Sequence, residues 1–257
     1  MTFAKSIFSA EGEFLKQRIL DDISEFEELG RVVYTGHNLI KVFGPVPDLN
    51  IKRYCVPKWY NRIIYSFIRR PKGERAFYNA GRLVQCDIGT PTPLAFVMEK
   101  KCGLIGLSYL VTRQKYGFQD LYCLGDDAAM SPARRQLIRE IAALGAKMHC
   151  AGILHKDFSP GNILWRQDAR DDSVEFCLVD INRMRFGKVS VKKGAENFAR
   201  LWGQPEMFRL LAEEYARLRE ANPVQTLKWM SDARNRFWKR FSKRHTVKYK
   251  YQEINIP

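Results

Sequence analysis

No stretch of this 257-residue chain supplies the ~18–20 consecutive apolar residues of a membrane-spanning helix. The opening segment MTFAKSIFSAEGEFLKQRIL carries Glu11 and Glu13 where a secretory signal needs an uninterrupted apolar core. Any work at a membrane is therefore expected from its surface. The six cysteines, Cys55, Cys86, Cys102, Cys123, Cys150 and Cys177, form no Cys-x-x-Cys pair and no Cys/His cluster at metal-ligand spacing. A zinc module and a disulfide framework are thus not expected, and a reducing cytoplasm fits best. Internal repeats and low-complexity linkers are missing as well.

Acidic residues are the minority: 28 Asp and Glu face 43 Lys and Arg, a formal charge of +15. That excess favours polyanionic partners such as nucleic acid, anionic headgroups or phosphorylated substrates, unless it is simply a basic soluble surface. Hydrophobic residues make up 46% and aromatics 12%, enough for a packed core and too much for wholesale disorder.

The first part of the chain reads as short strands. RVVYTGHNLIKVFG (31–44) suggests two strands around a turn at Thr35-Gly36-His37-Asn38, and LNIKRYCV (49–56) a third that carries Lys52. PKGERAFYNAGRLVQCDIG (71–89) reads as a helix: Pro71 suits its first turn, an apolar stripe runs from Ala76 to Val84, and Gly89 lies beyond its end. Two more strands, 94–100 and 106–112, flank Cys102-Gly103. The second part is mostly helical. Ser131 caps and Pro132 opens a helix over 131–152, and FARLWGQPEMFRLLAEEYARLREA is the clearest of the later helices. Between them, NILW and SVEFCLVD read as two strands of a hairpin. These patterns predict an α+β protein of two lobes, 1–112 and 113–257, the first a small antiparallel sheet with one helix.

ILHKDFSPGNILW (153–165) joins the long helix to the hairpin. Asp157 and Asn162 lie five residues apart across a Pro-Gly turn, and Asp180 returns at the hairpin's end. Three oxygen-bearing side chains meeting at one loop suit a hard cation such as Mg²⁺, which keeps water and phosphate oxygens as its other ligands. His-x-Asp-x-x-x-x-Asn followed by such an aspartate is the arrangement of the protein-kinase-like fold. In that frame Asp157, Lys52 and His155 form the catalytic set, although His155 is expected to brace the loop through hydrogen bonds. Lys52, Glu74, Gly36, Asn162 and Asp180 form the nucleotide site, with Asn162 and Asp180 as metal ligands. Glu74 is expected to hold Lys52 extended; Glu99 competes for that place, and Lys41 competes with Lys52. The glycine-rich phosphate loop of protein kinases is reduced to the single Gly36, Asp180 is followed by Ile-Asn, and no Ala-Pro-Glu segment occurs. A short kinase of small molecules or glycolipids fits these omissions better than a protein kinase.

The motifs GHNLIKVF, IKRY, KGERAFYNAGRL with GTPTPLAFVMEK, HKDFSPGNILW and LVDINRMRFG, spread over about residues 30–190, resemble the Kdo/WaaP (InaA-type) lipopolysaccharide kinase family of Gram-negative bacteria. The resemblance implies transfer of the ATP γ-phosphate, with Mg²⁺, to a Kdo or heptose hydroxyl of the inner core. It also implies a lipid A–core glycolipid partner and a peripheral place on the cytoplasmic face of the inner membrane. Carried over, Asp157 is the base, Lys52 the nucleotide lysine, and Asn162 and Asp180 the magnesium ligands. Lys156 stands beside the base where a small residue is the family's habit. A monomer is expected, with no specific nucleic-acid partner. Two segments interleave basic and aromatic residues, KWYNRIIYSFIRRPK (58–72) and RFWKRFSKRHTVKYKYQ (236–252); both suit an anionic membrane surface, RNA, or ordinary packed helices. A kinase of another small hydroxyl compound or of protein Ser/Thr, and a pseudokinase scaffold, are the alternatives.

Overall fold

A computed structural model describes residues 3–45, 48–126, 130–168 and 173–246. The chain divides into two compact units, one of residues 1–85 with 90–116 and one of residues 86–89 with 117–257.

The first unit is built on a six-stranded antiparallel sheet. Its strands are β1 (Lys5–Phe8), β2 (Arg31–Thr35), β3 (Asn38–Phe43), β4 (Leu49–Tyr54), β5 (Pro93–Lys101) and β6 (Leu104–Arg113), in the order β1-β5-β6-β4-β3-β2. Hairpin turns explain the long pairings. Cys102 and Gly103, both at positive φ, close β5 onto β6, as such a tight turn demands. One helix was expected here, and α4 (Lys72–Gln85) supplies it. The unit holds more: α1 (Ala10–Phe14), α2 (Lys16–Ser24), and α3 (Trp59–Ile63), which runs on as a π-helical turn over Ile64–Ile68. Ser9 caps α1, and Glu11 and Glu13 fill its first turn, where carboxylates favour a helix start. Ile19, Ile23 and Phe26 then bury themselves against Leu49, Ile51, Val97 and Val111 on one face of the sheet. The other face packs Phe96 and Met98 against Phe77 of α4.

Pleating separates the two competing lysines. Lys41 pairs across the sheet with Ile51, in the core beneath α2, whereas Lys52 pairs with Ile40 and with Leu110, on the α4 face. Side chains at alternating positions face opposite ways. Lys41 is accordingly buried, and its ammonium donates to the carbonyls of Phe26 at 2.6 Å, Glu27 at 3.1 Å and Leu29 at 2.9 Å. Three donors meet three acceptors, all from the chain that leaves α2.

The second unit opens with β7 (Gln119–Asp120) and α5 (Cys123–Asp126), followed by α6 (Pro132–Cys150). Ser131 accepts from the Arg134 N–H at the start of α6, and Leu137, Ile138, Ile141, Leu144, Gly145 and Met148 are buried along it. Next come β8 (Ile153–His155), β9 (Ile163–Gln167), β10 (Val174–Leu178) and β11 (Met184–Phe186), then α7 (Val191–Asn197), α8 (Pro205–Leu218) and α9 (Pro223–Phe241). The strands form a β10-β9-β7 sheet and a β11-β8 pair.

The continuous helix expected over FARLWGQPEMFRLLAEEYARLREA is broken. Phe198–Arg200 is a 3-10 turn, and α8 begins only at Pro205. Proline lacks the N–H and constrains its predecessor, so it opens a helix readily and does not continue one. The described start of the basic, aromatic segment belongs to α9. Trp238 is buried and packs edge-on against Trp202, with ring centroids 5.1 Å apart. Residues 247–252 of that segment lie outside the described residues. The cysteines are free, and only Cys177 is buried; Cys55, Cys102, Cys123 and Cys150 are exposed. Among the described residues no helix is long and apolar enough to cross a membrane.

Candidate active site

The loop after β8 is held from below by one imidazole. His155 is fully buried; its Nδ1 accepts the Asp157 backbone N–H at 3.1 Å, which leaves Nε2–H to donate to the Val179 carbonyl at 3.1 Å. The ring thus joins the loop carrying Asp157 to the strand end carrying Asp180. Burial pushes its pKa down against the pull of the Val179 carbonyl and the Asp157 and Asp180 carboxylates. A neutral single tautomer satisfies both bonds.

Asn162 closes the loop upon itself. Its Nδ2 donates to the Asp157 carbonyl at 2.9 Å, and its own carbonyl accepts the Val179 N–H at 3.0 Å. The amide oxygen Oδ1 takes no part in either bond. Asp180 sits at φ 53°, ψ 37°, a left-handed conformation at the start of the Ile181–Arg183 turn, which aspartate tolerates better than most residues. Asn182 Nδ2 donates to its Oδ1 at 2.8 Å. The Lys156 backbone N–H donates to Arg183, while the Lys156 side chain is exposed. Asp157, Asn162 and Asp180 are all half-buried and tied together through His155 and Val179. Among the described residues no group of three or more His, Cys, Asp and Glu could hold a metal. An oxygen-only pair, one amide and one carboxylate, fits a hard ion that keeps most of its water or takes phosphate oxygens, as Mg²⁺ does.

Two residues of this site are absent from its sequence signature. Arg200 Nη1 bonds Asp157 Oδ1, and its guanidinium lies 4.9 Å from the Phe237 ring centroid. Asn197 Nδ2 donates to the His155 carbonyl at 2.9 Å. Asn197 Oδ1 in turn faces His149 Nε2 at 3.1 Å, and His149 Nδ1 meets the Tyr215 hydroxyl at 2.9 Å. Arg219 donates to the same hydroxyl at 2.8 Å. Gly194 makes room for this line, since a Cβ there would lie 1.8 Å from the Tyr215 hydroxyl.

Burial pulls His149 from 6.5 down to about 4, with the Asn197 bond opposing and Arg219 reinforcing the shift. The unfolded chain then takes up this proton at higher pH than the folded one. Stability is whole above pH 6.5 and falls by about 3 kcal/mol as the pH drops towards 4. Urea unfolding across that interval is expected to show this slope, and His149→Gln to reduce it.

The strand that delivers Asp180 has a second support. Gly89 accepts the Leu178 N–H at 2.8 Å, and a Cβ at Gly89 would lie 2.0 Å from the Phe176 carbonyl oxygen. Backbone cannot retreat from such an overlap cheaply. Gly89→Ala is expected to cost about 2–3 kcal/mol and, by shifting β10, to slow phosphate transfer about tenfold or more. Thermal unfolding and a rate measurement on the same preparation check both effects.

The partner residues in the first unit are placed as follows. Lys52 lies on β4 with its ammonium 5.4 Å from the Tyr54 ring centroid. Glu74, in the first turn of α4, is buried and ion-paired with Lys5 at 2.8 Å and Arg70 at 3.5 Å, two cations that its sequence position does not suggest. Glu99 accepts from Tyr109 at 3.4 Å. Gly36 lies between β2 and β3, its N–H donating to the Asn38 carbonyl at 3.1 Å.

A comparison with curated protein sequences gives no match. Among solved structures, one described as WaaP in complex with acyl carrier protein shares the fold, with a TM-score of 0.62 at 16% identity, over 91% of this chain and 99% of that one. The model of the lipopolysaccharide kinase (Kdo/WaaP) family matches residues 48–221. That stretch is more than half of the chain and contains Lys52, Glu74, Asp157, Asn162 and Asp180, so this kinase-like α+β protein belongs to the Kdo/WaaP family of lipopolysaccharide kinases, phosphotransferases that act on core sugars.

Proposed function

We propose that this kinase transfers the γ-phosphate of ATP to a hydroxyl of a Kdo or heptose residue in the inner core of a lipid A-linked glycolipid. The observation that carries the reading is the single braced loop in which His155 fixes Asp157 relative to Val179-Asp180 while Asn162 folds back on Asp157. Asp157 accepts or orients the proton of the sugar hydroxyl. Lys52 serves the α- and β-phosphates; its place on the α4 face of the sheet supports it over Lys41, whose three donors are spent on carbonyls. Glu74 orients the nucleotide-binding lysine from α4, and Gly36 lets the β2–β3 turn approach the phosphates. Asn162 and Asp180 would hold Mg²⁺, which when bound neutralises charge on the transferring phosphate. His155 positions the loop and exchanges no proton.

The chain is proposed to work as a monomer on the cytoplasmic face of the inner membrane, where its glycolipid acceptor is made. Incubation with ATP, Mg²⁺ and a Kdo-bearing lipid A precursor, read by mass spectrometry, is expected to add a single phosphate to the glycolipid. A folded, ATP-binding protein that leaves both Kdo-bearing and heptose-bearing acceptors unmodified would falsify the assignment.

A further inference from the structure

The helix at residues 59–68 is inside out. Its half-buried and exposed positions alternate in pairs: Trp59, Tyr60, Ile63, Ile64, Phe67 and Ile68 are exposed, while Asn61, Arg62, Tyr65 and Ser66 are half-buried on the protein side. Trp59 and Phe67 are each 74% exposed and Ile68 79%. Tyr65 packs against the Phe77, Phe96, Met98 and Ile105 cluster, and polar groups supply the other anchors. Arg62 donates to the carbonyls of Ile105 at 2.9 Å and Lys101 at 3.1 Å, and Ser66 accepts the Ile105 N–H at 2.9 Å. A surface helix of a soluble domain normally does the reverse.

The geometry keeps this apolar stripe straight. At 3.6 residues per turn, a four-residue repeat runs ahead of the α-helix axis by about 40° per step. The π-helical turn at Ile64–Ile68 is wider and swings the repeat back. Six large apolar side chains thus share one outward face of a ten-residue segment that is too short to span a bilayer. Lys58, Arg69, Arg70 and Lys72 bracket the segment.

Beside its end lies a cavity of about 380 Å³, lined by Phe67 and Ile68 together with Lys5, Arg69, Arg70 and Lys100, and with Glu74 as its carboxylate. Lys5 and Arg70 are engaged by Glu74, so the surplus charge rests chiefly on Arg69 and Lys100.

We infer that residues 59–68 insert edgewise into the interfacial region of an anionic phospholipid bilayer and that the adjoining cationic cavity receives a lipid phosphate headgroup. Exposed aromatics at the ends of the stripe, aliphatic residues within it and cations around it match the three layers of such an interface. The described part of the other basic–aromatic segment does not offer this, because Trp238 is buried within the second unit and Phe237 and Phe241 are only half-exposed. The inference deepens the proposed function, which requires an amphiphilic acceptor.

Its test needs no turnover. Wild-type protein is expected to co-sediment with vesicles of phosphatidylethanolamine and phosphatidylglycerol, and weakly with phosphatidylcholine alone. The Phe67→Ser/Ile68→Ser double variant alters only exposed side chains; its partition is expected to fall about tenfold or more at unchanged thermal stability. Arg69→Glu and Lys100→Glu are each expected to lower the phosphatidylglycerol preference about fivefold or more. Equal partition of wild type and the double variant, or equal binding to both kinds of vesicle, overturns the inference. Phosphorylation of a deacylated, water-soluble acceptor by the double variant should match wild type. Absence of that activity in both proteins counts against the proposed reaction and leaves the vesicle result standing.

Discussion

Asp157→Ala lowers the rate of phosphate transfer by about 10²–10⁴-fold, the span of a positioned general base, while nucleotide affinity stays close to wild type. The expectation follows from how the carboxylate is held. The Asp157 backbone is fixed by His155 Nδ1 and by Asn162, and neither bond uses the side chain. Truncation at Cβ therefore leaves the loop closed and Asn162 and Asp180 in place. Only the Arg200 bond is lost, and Arg200 retains the Phe237 ring against its guanidinium. Single-turnover kinetics beside a nucleotide-binding titration separate the two quantities. A pseudokinase predicts no change, because it has no rate to lose. A nucleic-acid module predicts binding that is steeply salt-dependent and indifferent to Asp157.

Lys41→Met unfolds the first unit more easily by about 3–4 kcal/mol, equivalent to about 10 °C in thermal midpoint. The substitution keeps the length of the side chain but removes all three donors. The carbonyls of Phe26, Glu27 and Leu29 then lose a charged partner inside a packed face, and water has little access to replace it. Phe26 also loses the cation beside its ring, 5.1 Å from the centroid. Lys52→Met, one strand away on the opposite face, is expected to leave the midpoint nearly unchanged and to abolish transfer instead. The two variants, assayed side by side for unfolding and for activity, assign one lysine to the fold and the other to the nucleotide. Matched phenotypes would sink that division.

Features that depend on neighbours in the chain were legible in the sequence. Ser131-Pro132 marks a helix start by its own chemistry, Cys102-Gly103 marks a turn, and the spacing of His155, Asp157 and Asn162 is a local loop with bonds spanning two and five residues. The supports of that loop were not legible. Arg200 and Asn197 reach it across 43 and 42 residues, and nothing in ENFARLWG distinguishes them from solvated polar side chains. Lys5 meets Glu74 from β1, a strand that a signal-peptide test passes over. The helix at 59–68 resisted reading because the usual rule places the apolar stripe inward, and here Arg62 and Ser66 take that side. The break before α8 was available in the sequence, since Gly203 and Pro205 stand inside the supposed helix, but the apolar repeat on either side obscured it.

The buried line from Arg219 to His155 has a polarity. Arginine can only donate and a peptide carbonyl can only accept, so with Arg219 at one end and the His155 carbonyl at the other, every proton between them must point the same way. Tyr215, His149 and Asn197 each have a single permitted arrangement. Shape alone consequently does not suffice at these positions. An ionised aspartate at 197 would copy the outline of asparagine yet set an oxygen against the His155 carbonyl oxygen, and the row would have no orientation left in which all its members are satisfied. A one-atom change, nitrogen to oxygen, is enough to turn the mount of the loop that carries Asp157 into a repulsion.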